Sequence, residues 1–543
     1  MTPPPGRPAK GAPGPRRRRS GRAHGTDPAT AAWASEALGQ ALAHHRAGRA
    51  GEAEALYRQI LKRVPRHAHT LNLLAILVYH AGRTGEARRL VKQALAAAPN
   101  MAEAHNTQGN FLLDQGRIEP AMASFRRALD RRPTFAEARV NLGNALARAG
   151  RPEAALPCYQ RALDDDPACA EAHHNMGVAL GELGQPDEAA DCYRRAVAQR
   201  PGYAEAHLEL GAILEARGAL DEAAAHFAHA AARAPRMARA QCRLGRCLSL
   251  LGRRPEAEVA LRRALSLDPK DVNAASGLGN LLAMAGRAHE ALAEFERILA
   301  MDPVHETALH MRNALAGARS RAAPRGYVKA LFDDYAGRFD QHLVERLDYR
   351  VPEKLRAAVL EVAQAAAIGA PAAAGRAGWR VLDVGCGTGL CGLEIRPHAR
   401  HLVGVDLAPL MIAKARERGV YDELHEGEIG EVLAGRGAQF DVALAGDVFI
   451  YVGGLEALFA AVAPALAPGG VFAFSIERDD EADVTLRPTG RFAHAPAYLE
   501  RLGRAHDMDM VLDRQIGVRK QDGAYIPGNV MVLRRRPAPA ESP

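Results

Sequence analysis

The chain has 543 residues, a length that allows roughly three to five domains, or a repeat array followed by a domain. Its composition is that of a globular protein, with 48% hydrophobic, 25% charged and only 5% aromatic residues. Few aromatic residues beside many Ala and Leu residues favour packed helices over an all-β fold. No run of about 18 apolar residues occurs, so the sequence predicts no membrane-spanning helix and no membrane partner.

The net charge of +8 is concentrated at the start of the chain. Residues 1–26 contain seven Lys and Arg residues and no acidic residue, which leaves 64 basic against 63 acidic residues in the rest. A nearly neutral remainder argues against a nucleic-acid partner. Because residues 1–30 are rich in Pro, Gly and Arg, we predict that they form a disordered basic arm.

The seven cysteines include no CxxC pair, and the basic start is not followed by an apolar stretch. The first observation argues against a disulfide framework and a zinc site, and the second against a signal peptide. A reduced compartment fits this pattern, and we expect a cytoplasmic protein.

Three residue types recur every 34 residues through the first half of the chain. Each series has eight members, which lie in constant register with one another. The prolines are at 65, 99, 133, 167, 201, 235, 269 and 303, the glycines at 48, 82, 116, 150, 184, 218, 252 and 286, and the alanines at 53, 87, 121, 155, 189, 223, 257 and 291. This pattern resembles the tetratricopeptide repeat, whose period is 34 residues.

One repeat shows why the pattern predicts a helix, a turn and a second helix. Gly150 lies where the turn needs a positive φ, and Pro167 ends the second helix because it has no N–H to donate. Small residues such as Gly143 allow the paired helices to approach, and Tyr159 fills the space between their turns. We predict an all-α solenoid over 31–319, with about eight repeats and a capping helix near its end.

The resemblance implies a protein or peptide partner on the concave surface of the repeats. Asn141 and Asn175 occupy the sixth position of their repeats, and Asn110, Asn144 and Asn280 occupy the ninth. Both positions fall on the first helix of a repeat, where a row of side-chain amides could bind an extended peptide backbone. A solvated polar groove is the alternative. We expect the adjacent His173 and His174 on the surface rather than at a metal.

After a linker at 320–326, the pattern changes to strands that alternate with helices, which predicts a parallel sheet. A buried strand from Trp379 runs into the glycine-rich turn DVGCGTG at 383–389, and two final strands meet near the hairpin pair Asp522–Gly523. We place this domain at 327–536 and a disordered tail at 537–543.

The acid followed by GxGxG, the later APGG at 467–470 and the final hairpin resemble class I S-adenosylmethionine-dependent methyltransferases. The resemblance implies a Rossmann-like α/β fold with a mostly parallel seven-stranded sheet, and S-adenosylmethionine as the cofactor. The residues that it assigns to the cofactor are Asp383, Gly385, Cys386, Gly387, Gly389, Asp406, Leu407, Met411, Glu428, Ile429, Asp447 and Phe449.

The segment 331–355 is similar to the N-terminal element of bacterial methyltransferases that are fused to tetratricopeptide repeats. Phe332, Tyr335 and Phe339 recur at helical spacing, and we expect them to cover the cofactor, with Tyr335 as its closest contact. Packing of the helix on the sheet is the alternative. If the acceptor must lose a proton, the candidate catalytic residues are Asp447, Tyr451 and His342.

The sequence therefore predicts a methyltransferase with an unidentified acceptor, whose repeats recruit a protein substrate or partner. The alternative is an interaction scaffold with an inactive methyltransferase-like domain. A dinucleotide oxidoreductase is disfavoured because GxGxxG at 387–392 is weak evidence beside Asp383 and the final hairpin. We expect no metal, and the oligomeric state stays open.

Overall fold

The computed structural model describes residues 27–318, 322–335, 340, 347–366, 378–521 and 523–537. The chain divides into two compact units, one up to Gln199 and one from Arg200 onward. No helix in these described ranges is both long and apolar enough to cross a bilayer.

The first unit consists of helical repeats in which pairs of helices of 13–14 residues recur after the longer first helix. Its helices are α1 Pro28–Arg46, α2 Ala50–Arg63, α3 Ala68–His80, α4 Thr84–Ala97, α5 Ala102–Asp114, α6 Ile118–Arg131, α7 Ala136–Arg148, α8 Pro152–Asp165, α9 Ala170–Glu182 and α10 Pro186–Gln199. Helix α1 begins inside the range 1–30 that we predicted as an arm, and residues 1–26 lie outside the described ones.

The second unit opens with three more helix pairs and a single shorter helix. These are α11 Ala204–Ala216, α12 Leu220–Arg233, α13 Ala238–Leu250, α14 Arg254–Leu267, α15 Val272–Met284, α16 Ala288–Met301 and α17 Glu306–Leu315. Helix α17 lies within the segment predicted to cap the repeats.

The recurring glycines adopt the conformation that the turn requires. Those between the two helices of each pair have φ between 71° and 79°, a left-handed conformation that residues with a Cβ rarely adopt. A second set of glycines lies on the first helix of a pair, where the two helices pack closely. An aromatic ring from the second helix usually packs against this glycine. An added Cβ at Gly143 would lie 2.5 Å from Cε1 of Tyr159, and Gly109, Gly177, Gly211 and Gly279 face Phe or Tyr rings in the same way.

The expectation that His173 lies on the surface is wrong, because its side chain is buried. Its Nε2 lies 3.2 Å from the carbonyl oxygen of Pro167, to which it donates. His105 and His207 make the same bond to Pro99 and Pro201. At this position of the repeat, histidine therefore satisfies the carbonyl of the proline that ends the preceding helix.

The α/β domain in the second unit has helices on both faces of one sheet. Its elements are α18 Arg325–Tyr335, α19 Val351–Ala366, β1 Trp379–Val384, α20 Leu390–Ile395, β2 Ala399–Asp406, α21 Pro409–Arg418, β3 Glu423–Glu426, α22 Ile429–Leu433, β4 Phe440–Ala445, α23 Glu456–Ala465, β5 Leu466–Glu477, β6 Val484–Leu486, β7 Phe492–His494, α24 Pro496–Ala505, β8 Met508–Gln521 and β9 Ala524–Arg535. Helix α18 includes the last two residues of the predicted linker.

The sheet has the strand order β3-β2-β1-β4-β5-β9-β8. Strands β1 to β5 are parallel, and β9 pairs antiparallel with β5 and β8. One hydrophobic core lies against α23 and α24, and the other against α19 and α20. The predicted fold class is confirmed: helical repeats come first, and a mostly parallel seven-stranded Rossmann-like sheet with a final hairpin follows.

Candidate functional site

The glycine-rich turn follows β1 and faces the carboxyl end of β2. Gly385, Gly387 and Gly389 have φ of 63°, 54° and 94°. Asp406, the last residue of β2, accepts hydrogen bonds from the N–H of Gly387 at 2.8 Å and of Ala408 at 2.9 Å. An added Cβ at Gly387 would meet no atom within 4 Å, so the backbone of the turn is open at this point.

Asp383, at the end of β1, is 1% exposed. Its Oδ2 accepts a hydrogen bond from the hydroxyl of Tyr421 at 2.7 Å, whereas its buried Oδ1 has no partner among the described residues. Burial, assisted by the nearby Asp406, raises the pKa of Asp383 to about 7, although the Tyr421 hydroxyl opposes the shift. An unpaired buried oxygen beside an open glycine turn is suited to a ligand that carries a hydrogen-bond donor or a positive charge.

Sequence reasoning missed Tyr421, which closes the inner side of the turn. An added Cβ at Gly392 or at Gly404 would collide with its ring, and one at Gly389 would lie 3.0 Å from it. The absence of side chains at these three glycines was the only signal in the sequence. The thiol of Cys386 is buried near Gly404, where burial raises its pKa well above the usual value.

The other predicted residues on the β2–β3 side lie at the starts of α21 and α22. Met411 is fully buried and packs with Ala408 and the ring of Phe332. The side chains of Leu407 and Ile429 are half-buried. The carboxylate of Glu428 forms an ion pair with Arg325.

The loop after β4 lies against the glycine turn, since an added Cβ at Gly385 would come 2.6 Å from Cγ2 of Val448. Asp447 has a φ of 56°, which is rare for a residue with a side chain. Its N–H donates to Ser475 Oγ at 2.9 Å, and that hydroxyl donates to Oδ1 at 3.2 Å. The side chain of Ser475, on β5, therefore helps to hold the conformation of this loop.

Asp447 also belongs to a buried ion triple that the sequence did not reveal. Its Oδ2 accepts from Arg519 Nη1 at 2.9 Å, and the second Nη of Arg519 donates to Glu477. The Arg519 and Glu477 side chains are each 3% exposed, and that of Asp447 is 16% exposed. Burial raises the pKa of Asp447 and Arg519 opposes the rise, so the guanidinium helps to keep this carboxylate ionised.

Two other predicted residues lie near this loop but in different surroundings. The ring of Tyr451 makes an edge contact with Phe332, with centroids 5.1 Å apart. Phe449 is fully buried and stacks on Phe474 in the core, so the structure does not bring its side chain to the turn. His342, Phe339 and the side chain of Tyr335 lie outside the described residues. Within the described part of the chain, no cluster of His, Cys, Asp or Glu is suited to hold a metal.

Known families match both parts of the chain. A family model described as a methyltransferase domain matches residues 382–472, which include the glycine turn and Asp447. Models described as tetratricopeptide repeat match 44–110, 102–135, 134–202, 174–238, 214–281 and 251–315.

The curated relatives include ubiquinone biosynthesis O-methyltransferases. That of Aromatoleum aromaticum is 32% identical over 114 residues, which are 20% of this chain and 49% of the relative. That of Xylella fastidiosa is 36% identical over 106 residues, 19% of this chain and 43% of the relative. The chain thus spans about half the length of these relatives.

Among solved structures, the chain is similar to YrrB, described as a TPR protein with an unusual peptide-binding site. The identity is 23%, the match covers 35% of this chain and 97% of YrrB, and the TM-score is 0.33. With the family matches and the fold, the chain carries tetratricopeptide repeats in its N-terminal part and a methyltransferase domain in its C-terminal part.

Proposed function

We propose that this protein is an S-adenosylmethionine-dependent methyltransferase whose repeats recruit a protein substrate or partner. The observation that carries the proposal is the open glycine turn between two acids, the buried Asp383 with its unpaired oxygen and Asp406 at the end of β2. When bound, the cofactor would supply a methyl group on a sulfonium, which is already activated for transfer.

Different residues are proposed to hold the different parts of the cofactor. Asp383 is suited to the ammonium group, and Asp406 to the ribose hydroxyls, because Asp406 ends β2 and its carboxylate is fixed beside the glycine turn by the N–H groups of Gly387 and Ala408. Half-buried Leu407 and Ile429 are proposed to form the apolar wall for the adenine, and Met411, which is fully buried against Phe332, supports this wall by packing. Gly385, Gly387 and Gly389 allow a close approach to the backbone, and Cys386 contributes through its backbone because its thiol is buried.

Asp447 and Tyr451 are the proposed residues at the acceptor end. Asp447 is held by Ser475 and Arg519, so its carboxylate has a fixed position from which to accept a hydrogen bond from an acceptor. If the acceptor must lose a proton, Asp447 is the proposed base in the described part of the site. His342 stays a prediction from the sequence.

Calorimetric titration of S-adenosylmethionine and S-adenosylhomocysteine into the full chain tests the cofactor site. We expect micromolar binding, weakened at least tenfold in Asp406→Asn. Asp422→Asn is the matched control, because Asp422 also accepts a backbone N–H, at 2.7 Å, but from Leu402, four residues before Asp406 along β2. Failure of the folded wild type to bind either compound would contradict the proposal and favour an interaction scaffold.

The proposal for the repeats rests on hydrogen-bonded asparagines. Asn141 donates to Asn106 at 3.0 Å, and Asn175 donates to Asn144 at 2.9 Å, so amides of neighbouring repeats are linked in pairs. Asn141, Asn144 and Asn175 are half-buried, and each keeps at least one amide hydrogen for a peptide backbone, whereas Asn106 is buried and its Nδ2 donates to Glu137 at 2.9 Å.

Transfer of tritium-labelled methyl groups in a cell lysate tests the role of the repeats. We expect label in the protein fraction, reduced several-fold for the full chain with Asn141→Ala and Asn175→Ala. Label that appears only in small molecules, and that the two substitutions leave unchanged, would contradict recruitment of a protein substrate by the repeats.

A further inference from the structure

Helix α18 forms part of the β2–β3 side of the candidate site. Its Phe332 ring packs on Ala408 and Met411. Asp333 Oδ1 accepts a hydrogen bond from the N–H of Leu410 at 3.3 Å, in the first turn of α21. At its other end, Arg325 forms an ion pair with Glu428. The proposed adenine wall therefore depends on where α18 lies.

The N-terminus of α18 is held by α17, the last helix after the repeats. Glu306 Oε2 accepts a hydrogen bond from the N–H of Tyr327 at 3.2 Å, which satisfies one of the free donors in the first turn of α18. Gly326 makes this approach possible, because an added Cβ would collide with the Glu306 carboxylate.

His310, one turn further along α17, provides a second attachment. Its ring lies 4.7 Å from that of Tyr327, and its Nε2 donates to the carbonyl oxygen of Gly490 at 2.8 Å. Gly490 lies between β6 and β7, and Phe492 of β7 joins Ala314 of α17 and Tyr327 in one small hydrophobic cluster. The end of the repeats, the β6–β7 pair and α18 thus share one set of contacts.

These contacts matter because α18 has only 11 residues. An isolated helix of this length is marginal in water, so its position must come from tertiary contacts. A ligand whose site needs α18 in place binds with an affinity reduced by the fraction of molecules in which α18 is displaced.

We propose that Glu306 and His310 are positioning residues for the nucleotide side of the cofactor site, which they hold in place through α18. The last helix after the repeats thereby sets the affinity of the methyltransferase domain for its cofactor. This inference rests on the proposed function, since it concerns the same site.

Amide hydrogen exchange and calorimetry on the full chain test the inference. The variants are Glu306→Ala, Glu306→Gln and His310→Ala. His207→Ala is the matched control, since it removes the same kind of bond, to the carbonyl of Pro201, within the repeats. We expect Glu306→Ala and His310→Ala to accelerate exchange in 325–335 without cofactor and to weaken S-adenosylmethionine binding by about threefold, the loss reached when α18 is displaced in about two thirds of the molecules. Glu306→Gln keeps an acceptor oxygen, so its exchange rate in 325–335 and its affinity for S-adenosylmethionine should stay close to those of the wild type. His207→Ala should change neither the exchange rate nor the affinity.

The outcomes separate the two proposals. If the wild type binds S-adenosylmethionine but Glu306→Ala and His310→Ala leave exchange or affinity unchanged, the inference is overturned and the proposed function stands. If the folded wild type does not bind, the proposed function fails and the inference falls with it. Loss of affinity in Glu306→Gln equal to that in Glu306→Ala would also overturn it, because the retained acceptor would then be irrelevant.

Discussion

Burial changes the acid–base chemistry of Asp383 in the candidate site. Its pKa is raised to about 7, so the folded protein holds a proton near neutral pH that the unfolded chain has already lost. Its contribution to stability is therefore complete below about pH 4 and is lost as the pH rises through 7. A ligand that pairs with the ionised carboxylate must displace this proton.

We predict that S-adenosylmethionine binds more tightly as the pH rises from 5.5 to about 7, by up to tenfold per pH unit, and that binding releases a proton below pH 7. Calorimetry in two buffers of different ionisation enthalpy measures the proton directly. Asp383→Asn should abolish the release. An affinity independent of pH over this interval would show that no cationic group pairs with Asp383.

The hydroxyl of Tyr421 is expected to tune this transition. Tyr421→Phe keeps the ring against the glycines but removes the hydrogen bond to Asp383 at 2.7 Å. Since that bond stabilises the ionised form, we predict that the pH midpoint of binding moves upward by about one unit. Tyr525→Phe, which removes a Tyr hydroxyl from Asp348 at the surface, is the matched control and should leave the midpoint in place.

The buried ion triple makes a prediction about stability. Arg519→Met would leave the carboxylates of Asp447 and Glu477 buried without their cation, which costs about 3–5 kcal/mol. Glu477→Gln leaves one anion and one cation and should cost at least about 2 kcal/mol less. Denaturant unfolding followed by the fluorescence of Trp379, in a Trp33→Phe background, measures both. Equal losses would show that charge balance does not govern this cluster.

Among the helical elements, a buried ring opposite a glycine sets the distance between the paired helices. Gly143→Ala would place a Cβ 2.5 Å from the buried Tyr159 ring, and we predict a loss of about 1–3 kcal/mol from overpacking. Gly181→Ala, on α9, meets nothing within 4 Å and should stabilise by up to about 1 kcal/mol through helix propensity. Circular dichroism during thermal unfolding compares them, and a harmless Gly143→Ala would contradict the close-packing argument.

Local residue patterns predicted most of the elements, because each pattern arises from contacts near in sequence. The 34-residue period predicted the helix pairs. Apolar strands that alternate with helices along the chain predicted a parallel sheet, which contains β1, β2, β4 and β5. The short β6–β7 pair was missed, since strands of three residues carry too little periodicity to be recognised.

The sequence did not predict those contacts of the site that join residues far apart along the chain. The glycine turn and Asp406 can be recognised from the sequence, because the turn needs glycines with positive φ and Asp406 directly ends an apolar strand. In contrast, Arg519 lies 72 residues beyond Asp447, and its role depends on the pairing of β8 with β9, which brings its side chain to Asp447 and to Glu477 of β5. The burial of Phe449 was missed for a similar reason, since its stacking partner Phe474 comes from a different strand.

At the scale of the whole molecule, the charge is divided unevenly between a short basic segment and an almost neutral remainder. Residues 1–26 contribute seven positive charges, whereas residues 27–543 carry 64 basic and 63 acidic residues. Attraction to a polyanion grows with the number of clustered cations and falls steeply with salt. The basic segment should therefore account for nearly all binding to nucleic acid.

We predict that the full chain is retained on heparin and binds single-stranded RNA weakly, with an affinity that falls as salt rises. A chain that begins at Asp27 should elute from heparin near the void volume and lose RNA binding, because its net charge is close to +1. Its affinity for S-adenosylmethionine should be unchanged, since no residue predicted or proposed to hold or position the cofactor lies before Glu306. RNA binding that survives the deletion with the same salt dependence would place a polyanion site on the folded units and would contradict our interpretation that nucleic acid is not a partner.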